Sequence, residues 1–280
     1  MEHIITTRQG VRLCWEGFGD PGTPPLLLIA GHSAQAVWWR AEFIQLLVDR
    51  GYYVIRYDNR DVGRSQHFAG AAYTIEDMAD DAAGLLDGLG IPSAHVVGQS
   101  MGGMIAQELA LRHPHAVLSL TLMFTLGRLP DSMLKAGPRV PAPTAGSREE
   151  AIEQFVLNEQ HCRSRDYPQD VEWLRALGGE YYDRGYDPAG LDRQMDAVMR
   201  QRDRLPALAG LDIPTAVLAG STDQLIEPSA SRDLAQAIPG ATLRIFEGMG
   251  HELPVPLWTE ITGIIDRTAE RATAPQDEPV

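Results

Sequence analysis

The chain has 280 residues, of which 44% are hydrophobic and 22% are charged, as in a globular protein with a sizeable core. Its 24 basic and 38 acidic residues give a net charge of −14. A surface of that sign repels phosphate backbones and anionic lipids, which argues against nucleic acid and membranes as partners.

The cysteines and the amino terminus bear on the compartment. Cys14 and Cys162 lie far apart and have no metal-binding spacing, so we expect neither a disulfide framework nor a metal site. The stretch MEHIITTRQG lacks the basic and apolar regions of a signal peptide, and the longest apolar runs are too short to span a bilayer. These observations predict a cytoplasmic protein.

The first half of the chain alternates short apolar runs with helical patterns. The apolar or alternating runs predict strands at 3–7, 11–17, 26–30, 53–57, 94–97 and 118–124. Helical spacing predicts helices at 38–50, 75–89 and 101–113. Thr74 and Asp77 form a capping box before the second of these helices. This alternation predicts a mostly parallel sheet with helices on both faces.

The alternation stops after about Leu126 and returns near residue 215. Between them, helical spacing recurs in polar sequence at 148–163, 168–178 and 190–201. We interpret residues 128–208 as an inserted helical cap on an α/β core formed by residues 1–127 and 209–271. Further strands are predicted at 215–219 and 242–246, a final helix at 258–271, and a disordered tail at 272–280.

A serine between two glycines follows the 94–97 strand, in the stretch HVVGQSMGG. An apolar run, Gly-x-Ser-x-Gly and then a helical pattern together predict a sharp strand-to-helix turn with Ser100 at its apex. Gly98 and Gly102 provide the small neighbours that such a turn requires. The helix that begins there directs its first N–H groups and its dipole at the serine, which favours an oxyanion.

A serine nucleophile needs a base, and the base needs an acid that orients it. Among the eight histidines, His251 stands in a loop after the last sheet strand, whereas His95 lies inside a strand and is interpreted as structural. Asp223 follows an apolar strand and should emerge at the same sheet edge as Ser100 and His251. Asp131 is an alternative acid, farther from its strand end. We predict the triad Ser100, Asp223 and His251.

The sequence resembles α/β-hydrolases over nearly its whole length. The resemblance rests on the stretches LLLIAGHSAQAVWW, RYDNRDVGRS, HVVGQSMGG and GMGHELP. Within the family, these stretches are most similar to aclacinomycin methylesterase-like esterases that tailor polyketides. The resemblance implies the α/β-hydrolase fold, a mostly parallel twisted sheet flanked by helices with an inserted helical cap. The turn DNRDVGRS is interpreted as architectural, without a chemical role.

The resemblance also implies an oxyanion hole beside the serine. Many relatives carry His-Gly after the first central strand, where this chain has Ala30 and Gly31, followed by His32. Gly31 lets the backbone turn inward, so the N–H groups of His32 and Met101 are expected to hold the oxyanion. The implied reaction is acyl transfer from Ser100 to water, without a metal or an organic cofactor.

The substrate pocket is predicted to be apolar and to accept a small-molecule ester. The residues expected to contact substrate are Gly31, Trp39, Met104 and Phe124. A methyl ester of a bulky aromatic or polyketide-like natural product is the implied substrate. The alternatives are a hydrolase of simple esters, lactones or C–C bonds on the same scaffold, and a non-hydrolytic ligand-binding or cyclase-type protein.

Overall fold

The computed structural model describes residues 1–129 and 145–273, and its central element is one sheet. In this part of the chain eight strands follow the spatial order β1-β2-β4-β3-β5-β6-β7-β8. Their bounds are β1 His3–Thr6, β2 Arg12–Phe18, β3 Pro25–Ile29, β4 Tyr53–Tyr57, β5 Ala94–Gln99, β6 Val117–Met123, β7 Thr215–Gly220 and β8 Thr242–Phe246. β2 pairs antiparallel with β1 and β4, and the other neighbours pair in parallel. The mostly parallel sheet expected from the sequence is confirmed.

Helices cover both faces of the sheet. The α-helices of the described residues, including those of the segment between β6 and β7, are α1 Ala41–Val48, α2 Ile75–Gly88, α3 Met101–Arg112, α4 Arg148–His161, α5 Val171–Gly185, α6 Pro188–Met199, α7 Leu205–Leu208, α8 Pro228–Ala237 and α9 Trp258–Thr273. Leu27 and Ile29 of β3 belong to the buried cluster that contains α2 and α3, whereas Leu26 and Leu28 belong to the cluster that contains α1 and α9. Because both faces are covered, β3 is an unbroken apolar run. Within the described ranges, no helix combines the length and apolarity needed to cross a membrane.

Some helix boundaries differ from the sequence prediction. The helix predicted at 38–50 begins only at Ala41, because Trp39 has an extended backbone with φ −72° and ψ 98°. The helix predicted at 168–178 is α5, which starts at Val171 and continues to Gly185. The sequence pattern does not indicate α8, although its first residue, Pro228, has the φ that a first helical turn requires.

The capping box predicted before α2 is confirmed. The Thr74 hydroxyl accepts the Asp77 backbone N–H at 3.2 Å, and the Asp77 carboxylate accepts the Thr74 N–H at 2.7 Å. These bonds satisfy two N–H groups that would otherwise lack partners, so α2 begins at the residue that the sequence indicates.

The described residues between β6 and β7 form α4 to α7 and contain no strand. α4 and α5 pack side by side, and the rings of Phe155 and Tyr181 lie 5.0 Å apart where they meet. Both helices face a cavity at the edge of the sheet where β5 ends. We call residues 128–208 the insertion. Its boundaries as a cap stay a prediction, and so does the tail, because 130–144 and 274–280 lie outside the described residues.

Candidate active site

Ser100 lies at the sharp turn between β5 and α3. Its backbone has φ 52° and ψ −123°, a conformation that is unusual for a residue with a side chain. The turn is held from both sides: the Ser100 N–H donates to the Met123 carbonyl at 3.0 Å, and the Thr125 hydroxyl donates to the Ser100 carbonyl at 2.7 Å. These contacts leave the Ser100 hydroxyl facing the cavity above the sheet.

The glycines on either side of Ser100 allow the backbone to fold back on itself. A Cβ atom built on Gly98 would stand 2.3 Å from the Gly102 carbonyl oxygen. A Cβ atom built on Gly102 would stand 2.2 Å from the carbonyl oxygen of Ile29 in β3. Both obstructing atoms belong to the backbone of central elements, so neither position accommodates a side chain without moving the elbow.

Replacing Gly102 by alanine is expected to lower the free energy of unfolding by about 1–3 kcal/mol, because the new methyl group overpacks against the β3 backbone. Chemical denaturation followed by circular dichroism measures the change. The matched control is Gly210→Ala, where the nearest atom to a new Cβ would lie at an ordinary 3.6 Å. A Gly102→Ala protein as stable as the Gly210→Ala protein would contradict the close approach at the elbow.

The three residues of the predicted triad are brought together by the structure. His251 Nε2 lies 3.0 Å from Ser100 Oγ, and His251 Nδ1 lies 2.7 Å from Asp223 Oδ2. The side chains of His251 and Asp223 are 9% and 1% exposed. With Nδ1 donating to the carboxylate, Nε2 of the neutral ring is left to accept the serine proton. The arrangement can therefore deprotonate the Ser100 hydroxyl as it attacks an electrophile.

Two loops hold the base and the acid in this position. The Asp223 carboxylate accepts the backbone N–H groups of Leu225 and Ile226 at its other oxygen, at 2.8 and 2.9 Å. The backbone N–H of His251 donates to the Cys162 carbonyl at 2.8 Å, so a residue of the insertion fixes the histidine loop. The Phe124 ring contacts the imidazole edge to face, with centroids 4.9 Å apart.

The residues predicted to form the oxyanion hole lie beside the serine. Met101 is the first residue of α3, where a backbone N–H has no acceptor within its own helix. A Cβ atom built on Gly31 would stand 3.2 Å from Ser100 Cβ, so the loop after β3 passes close to the elbow. His32 follows, and its ring Nε2 lies 2.9 Å from the Leu191 carbonyl in α6. The donor role of the two amides stays a prediction.

A cavity of about 450 Å³ adjoins Ser100 and His251, a size that suits a small organic ligand. Core and insertion both contribute to its wall, including Gly31, Met101, Met104, Phe124, Leu126, Phe155, Tyr181 and Tyr182. Three of the four residues predicted to contact substrate, namely Gly31, Met104 and Phe124, therefore line the cavity. Asp131, the alternative acid, lies outside the described residues.

Trp39 is a correction to the predicted pocket. Its side chain is completely buried in the core, where it stacks on Phe43 with ring centroids 5.8 Å apart. The neighbouring Trp38 does line the cavity. The helix predicted to include both tryptophans begins only at Ala41, and the extended backbone at Trp39 turns that ring into the core.

In the described ranges, one group of side chains has the spacing of metal ligands: Asp61, His67 and Asp187. The Arg193 guanidinium already lies among them, donating to Asp61 at 2.7 and 2.8 Å and to Asp187 at 3.0 Å. His67 bonds to Asp187 at 2.8 Å. Because Arg193 pairs with both carboxylates, we interpret the group as an ion-pair network that fixes α6 to the turn after β4.

Glu159 places a carboxyl group in the cavity that the sequence pattern does not indicate. It lies on α4 and lines both this cavity and a smaller neighbouring one. Burial, together with the negative charge of Glu252, raises the pKa of Glu159 from 4.5 to about 7. A glutamate on a polar helix is normally solvated, which is why its position was not apparent from the sequence.

Glu159 is expected to make the protein less stable as the pH rises. The folded protein binds this proton more tightly than the unfolded chain does, so the free energy of unfolding should fall between pH 4.5 and about 7. Glu159→Gln should remove about 1–2 kcal/mol of this decrease, because the amide does not titrate. Denaturation at several pH values measures the slope. Glu180→Gln, at an exposed position on α5, is the control, and equal slopes for both variants would contradict the prediction.

Comparison with known proteins adds to this geometry. A family model described as alpha/beta hydrolase fold matches residues 24–255. Rhodomycin D methylesterase DauP of Streptomyces sp. (strain C5) is 34% identical to this chain, over 96% of the chain and 98% of the relative. Rhodomycin D methylesterase DnrP of Streptomyces peucetius has the same identity and coverage. Among solved structures, a hydrolase from Pseudomonas aeruginosa PA01 is similar with a TM-score of 0.73 and 26% identity, over 98% of both chains.

Proposed function

We propose that this chain, which belongs to the α/β-hydrolase family, is a serine hydrolase that cleaves a carboxylic ester through an acyl-enzyme. The observation that carries the proposal is the hydrogen-bonded series from Asp223 through His251 to Ser100, beside a cavity sized for a small molecule. The methylesterase relatives support ester hydrolysis, because they match the chain over nearly its whole length.

In the first half of the proposed reaction, Ser100 Oγ attacks the ester carbonyl carbon while its proton passes to His251 Nε2. The bond to the alcohol oxygen then breaks, and the imidazolium protonates the leaving alkoxide. In the second half, Nε2 takes a proton from water, which attacks the acyl carbon. The carboxylic acid leaves as Ser100 recovers its proton, and Asp223 stabilises the imidazolium in both halves.

The tetrahedral intermediates carry a negative charge on the former carbonyl oxygen. We assign its stabilisation to the backbone N–H groups of His32 and Met101, which flank Ser100 in the cavity wall. One donor of this kind contributes about 2.7–4 kcal/mol to transition-state stabilisation. The scheme calls for no metal or organic cofactor, since serine, imidazole and carboxylate supply the nucleophile and the proton transfers.

The substrate we propose is an apolar small-molecule ester, specifically a methyl ester of a bulky aromatic or polyketide-like compound. The core side of the cavity is apolar, with Met104, Phe124 and Leu126 in its wall. Two relatives that match the chain over nearly its whole length are named as methylesterases of rhodomycin D. We place the reaction in the cytoplasm, in agreement with two cysteines that are unpaired.

The activated serine can be tested with a small fluorophosphonate followed by peptide mass spectrometry. The wild-type protein should be labelled at Ser100, and the His251→Ala variant should lose the labelling because its serine has no base. Absence of labelling by this probe and by a smaller one would overturn the proposed mechanism. Ligand binding without labelling would then favour the non-hydrolytic alternative.

A substrate comparison tests the proposed specificity. Methyl esters of aromatic polyketides and simple acyl esters are each incubated with wild-type protein from a preparation that the fluorophosphonate labels. The released alcohol and free acid are then measured. We expect kcat/KM to favour the aromatic methyl esters by at least about tenfold, because they fill the apolar cavity. Faster turnover of simple esters, lactones or C–C bonded diketones would assign the same machinery to a different substrate class.

A further inference from the structure

The loop after β3, residues 31–35, is bonded to the insertion at three of its five positions. The His32 ring Nε2 lies 2.9 Å from the Leu191 carbonyl. The Ser33 backbone N–H donates to Gln194 Oε1 at 2.9 Å. Gln35 Nε2 donates to the Tyr181 carbonyl at 2.9 Å. The loop that carries a proposed oxyanion donor is therefore positioned by α5 and α6 as well as by the sheet.

Gln194 has the most constrained position of these insertion residues. Its side chain is fully buried on α6, and it uses both ends of its amide. The oxygen accepts the Ser33 N–H at 2.9 Å, and Nε2 donates to the Arg60 carbonyl at 2.8 Å. One side chain thus connects the loop after β3 to the turn after β4.

The loop has a conformation that needs such support. Ser33 has φ 64°, in the left-handed region that disfavours residues with a side chain. On the other side of His32, the Gly31 carbonyl accepts the Ala34 N–H at a long 3.3 Å. That carbonyl belongs to the same peptide unit as the His32 N–H. The bond at Gln194 holds the next peptide unit, so the two bonds together fix the peptide planes on both sides of His32.

We propose that Gln194 is a positioning residue for the oxyanion hole, which orients the His32 N–H from the insertion by holding the Ser33 N–H. The inference rests on the proposed function, because the His32 N–H is an oxyanion donor only in the proposed mechanism. It gives α6 a part in catalysis besides its contribution of Leu191 and Met195 to the cavity wall. One residue before Gln194, the ion pair between Arg193 and Asp61 holds α6 to the turn after β4.

Gln194→Met tests the proposal, since methionine has a similar volume but can replace neither hydrogen bond. We expect kcat to fall about 10- to 100-fold on an ester that the wild type hydrolyses, with KM changed less than about threefold. Affinity for a trifluoromethyl ketone, which forms a tetrahedral oxyanion on serine, should fall by the same factor as kcat. A loss of packing alone would not make these two quantities fall together.

Matched variants separate positioning from general damage. Gln45→Met changes an exposed glutamine on α1 that is not in the cavity wall and whose amide donates to Asp49 Oδ1 at 2.7 Å. This variant should leave kcat within about twofold of wild type. Gln194→Glu retains an acceptor for Ser33 and should recover most of kcat. If Gln194→Met does not fold, Gln194→Asn, whose shorter amide withdraws from Ser33, should show the same loss of kcat.

The possible results are distinct. An unchanged kcat in folded Gln194→Met or Gln194→Asn would overturn the inference while leaving the proposed function intact. A rise in KM without a fall in kcat would do the same. Failure of the wild type to hydrolyse esters or to be labelled at Ser100 would instead overturn the proposed function. Parallel losses in kcat and ketone affinity, with recovery in Gln194→Glu, would support the inference.

Discussion

Replacing Ser100 by alanine is expected to lower kcat for ester hydrolysis by about a millionfold, to the level left by the oxyanion hole and binding alone. The proposed reaction has one nucleophile, Ser100 Oγ, which lies 3.0 Å from His251 Nε2 in the wild-type protein. Alanine leaves no oxygen at that position. Substrate affinity should stay near the wild-type value, because the change removes a single atom from the cavity wall. Initial rates from methanol release, together with a direct binding titration, measure both quantities.

A second serine beside a histidine offers the matched control. Ser119 in β6 is buried, and its hydroxyl lies 2.9 Å from His95 Nδ1, but this pair is not part of the cavity wall. Ser119→Ala should keep kcat within about threefold of wild type. A Ser100→Ala protein that retains a tenth or more of the wild-type kcat would contradict the assignment of Ser100 as the nucleophile. An equal loss of kcat in both variants would contradict it as well.

Replacing Asp223 by asparagine is expected to lower kcat about 10⁴-fold, with KM little changed. The carboxylate oxygen that accepts from His251 Nδ1 at 2.7 Å would be exchanged for an amide that can donate there. The ring would then carry its proton on Nε2, where it cannot take the proton of Ser100. The second oxygen can still accept the N–H groups of Leu225 and Ile226, so the loop should remain folded.

Asp203→Asn is a control with the same local geometry. Asp203 accepts the N–H of Leu205 at 2.9 Å, two residues along the chain, as Asp223 does with Leu225. Its substitution should leave kcat within about twofold of wild type. Loss of stability without loss of kcat in Asp223→Asn would show that the carboxylate supports the loop and does not orient the histidine.

The elbow and the predicted triad could be read from the sequence because their signals are local. The order of apolar run, Gly98, Ser100, Gly102 and helical pattern describes a backbone path that few other arrangements satisfy. Asp223 lies in the loop after β7 and His251 in the loop after β8, and parallel strands bring their carboxyl ends to one edge. Strand order therefore brings the two loops to the same edge of the sheet, and contacts such as the bond from the His251 N–H to the Cys162 carbonyl set their final positions.

The cavity wall could not be read in the same way, because it depends on contacts between distant segments. Trp38 and Trp39 are adjacent, and which ring enters the core is decided by the start of α1 three residues later than the pattern suggested. Glu159 and Gln194 lie on helices of polar composition, where such residues usually face water. The burial of Gln194 and the position of Glu159 in the cavity wall follow from how α4 and α6 lie against the core, which no local spacing encodes.

The hydrogen bond from the His251 backbone to the Cys162 carbonyl has a consequence for protein engineering. Gly250 makes a similar bond, donating to the Ser164 hydroxyl at 2.9 Å. A chimera whose foreign insertion followed a different backbone path would displace the Cys162 carbonyl and lose the Ser164 hydroxyl, and would so release the loop that presents the imidazole. Substrate range is therefore better altered by single replacements on the cavity face of α4, such as Phe155, than by grafting a foreign segment.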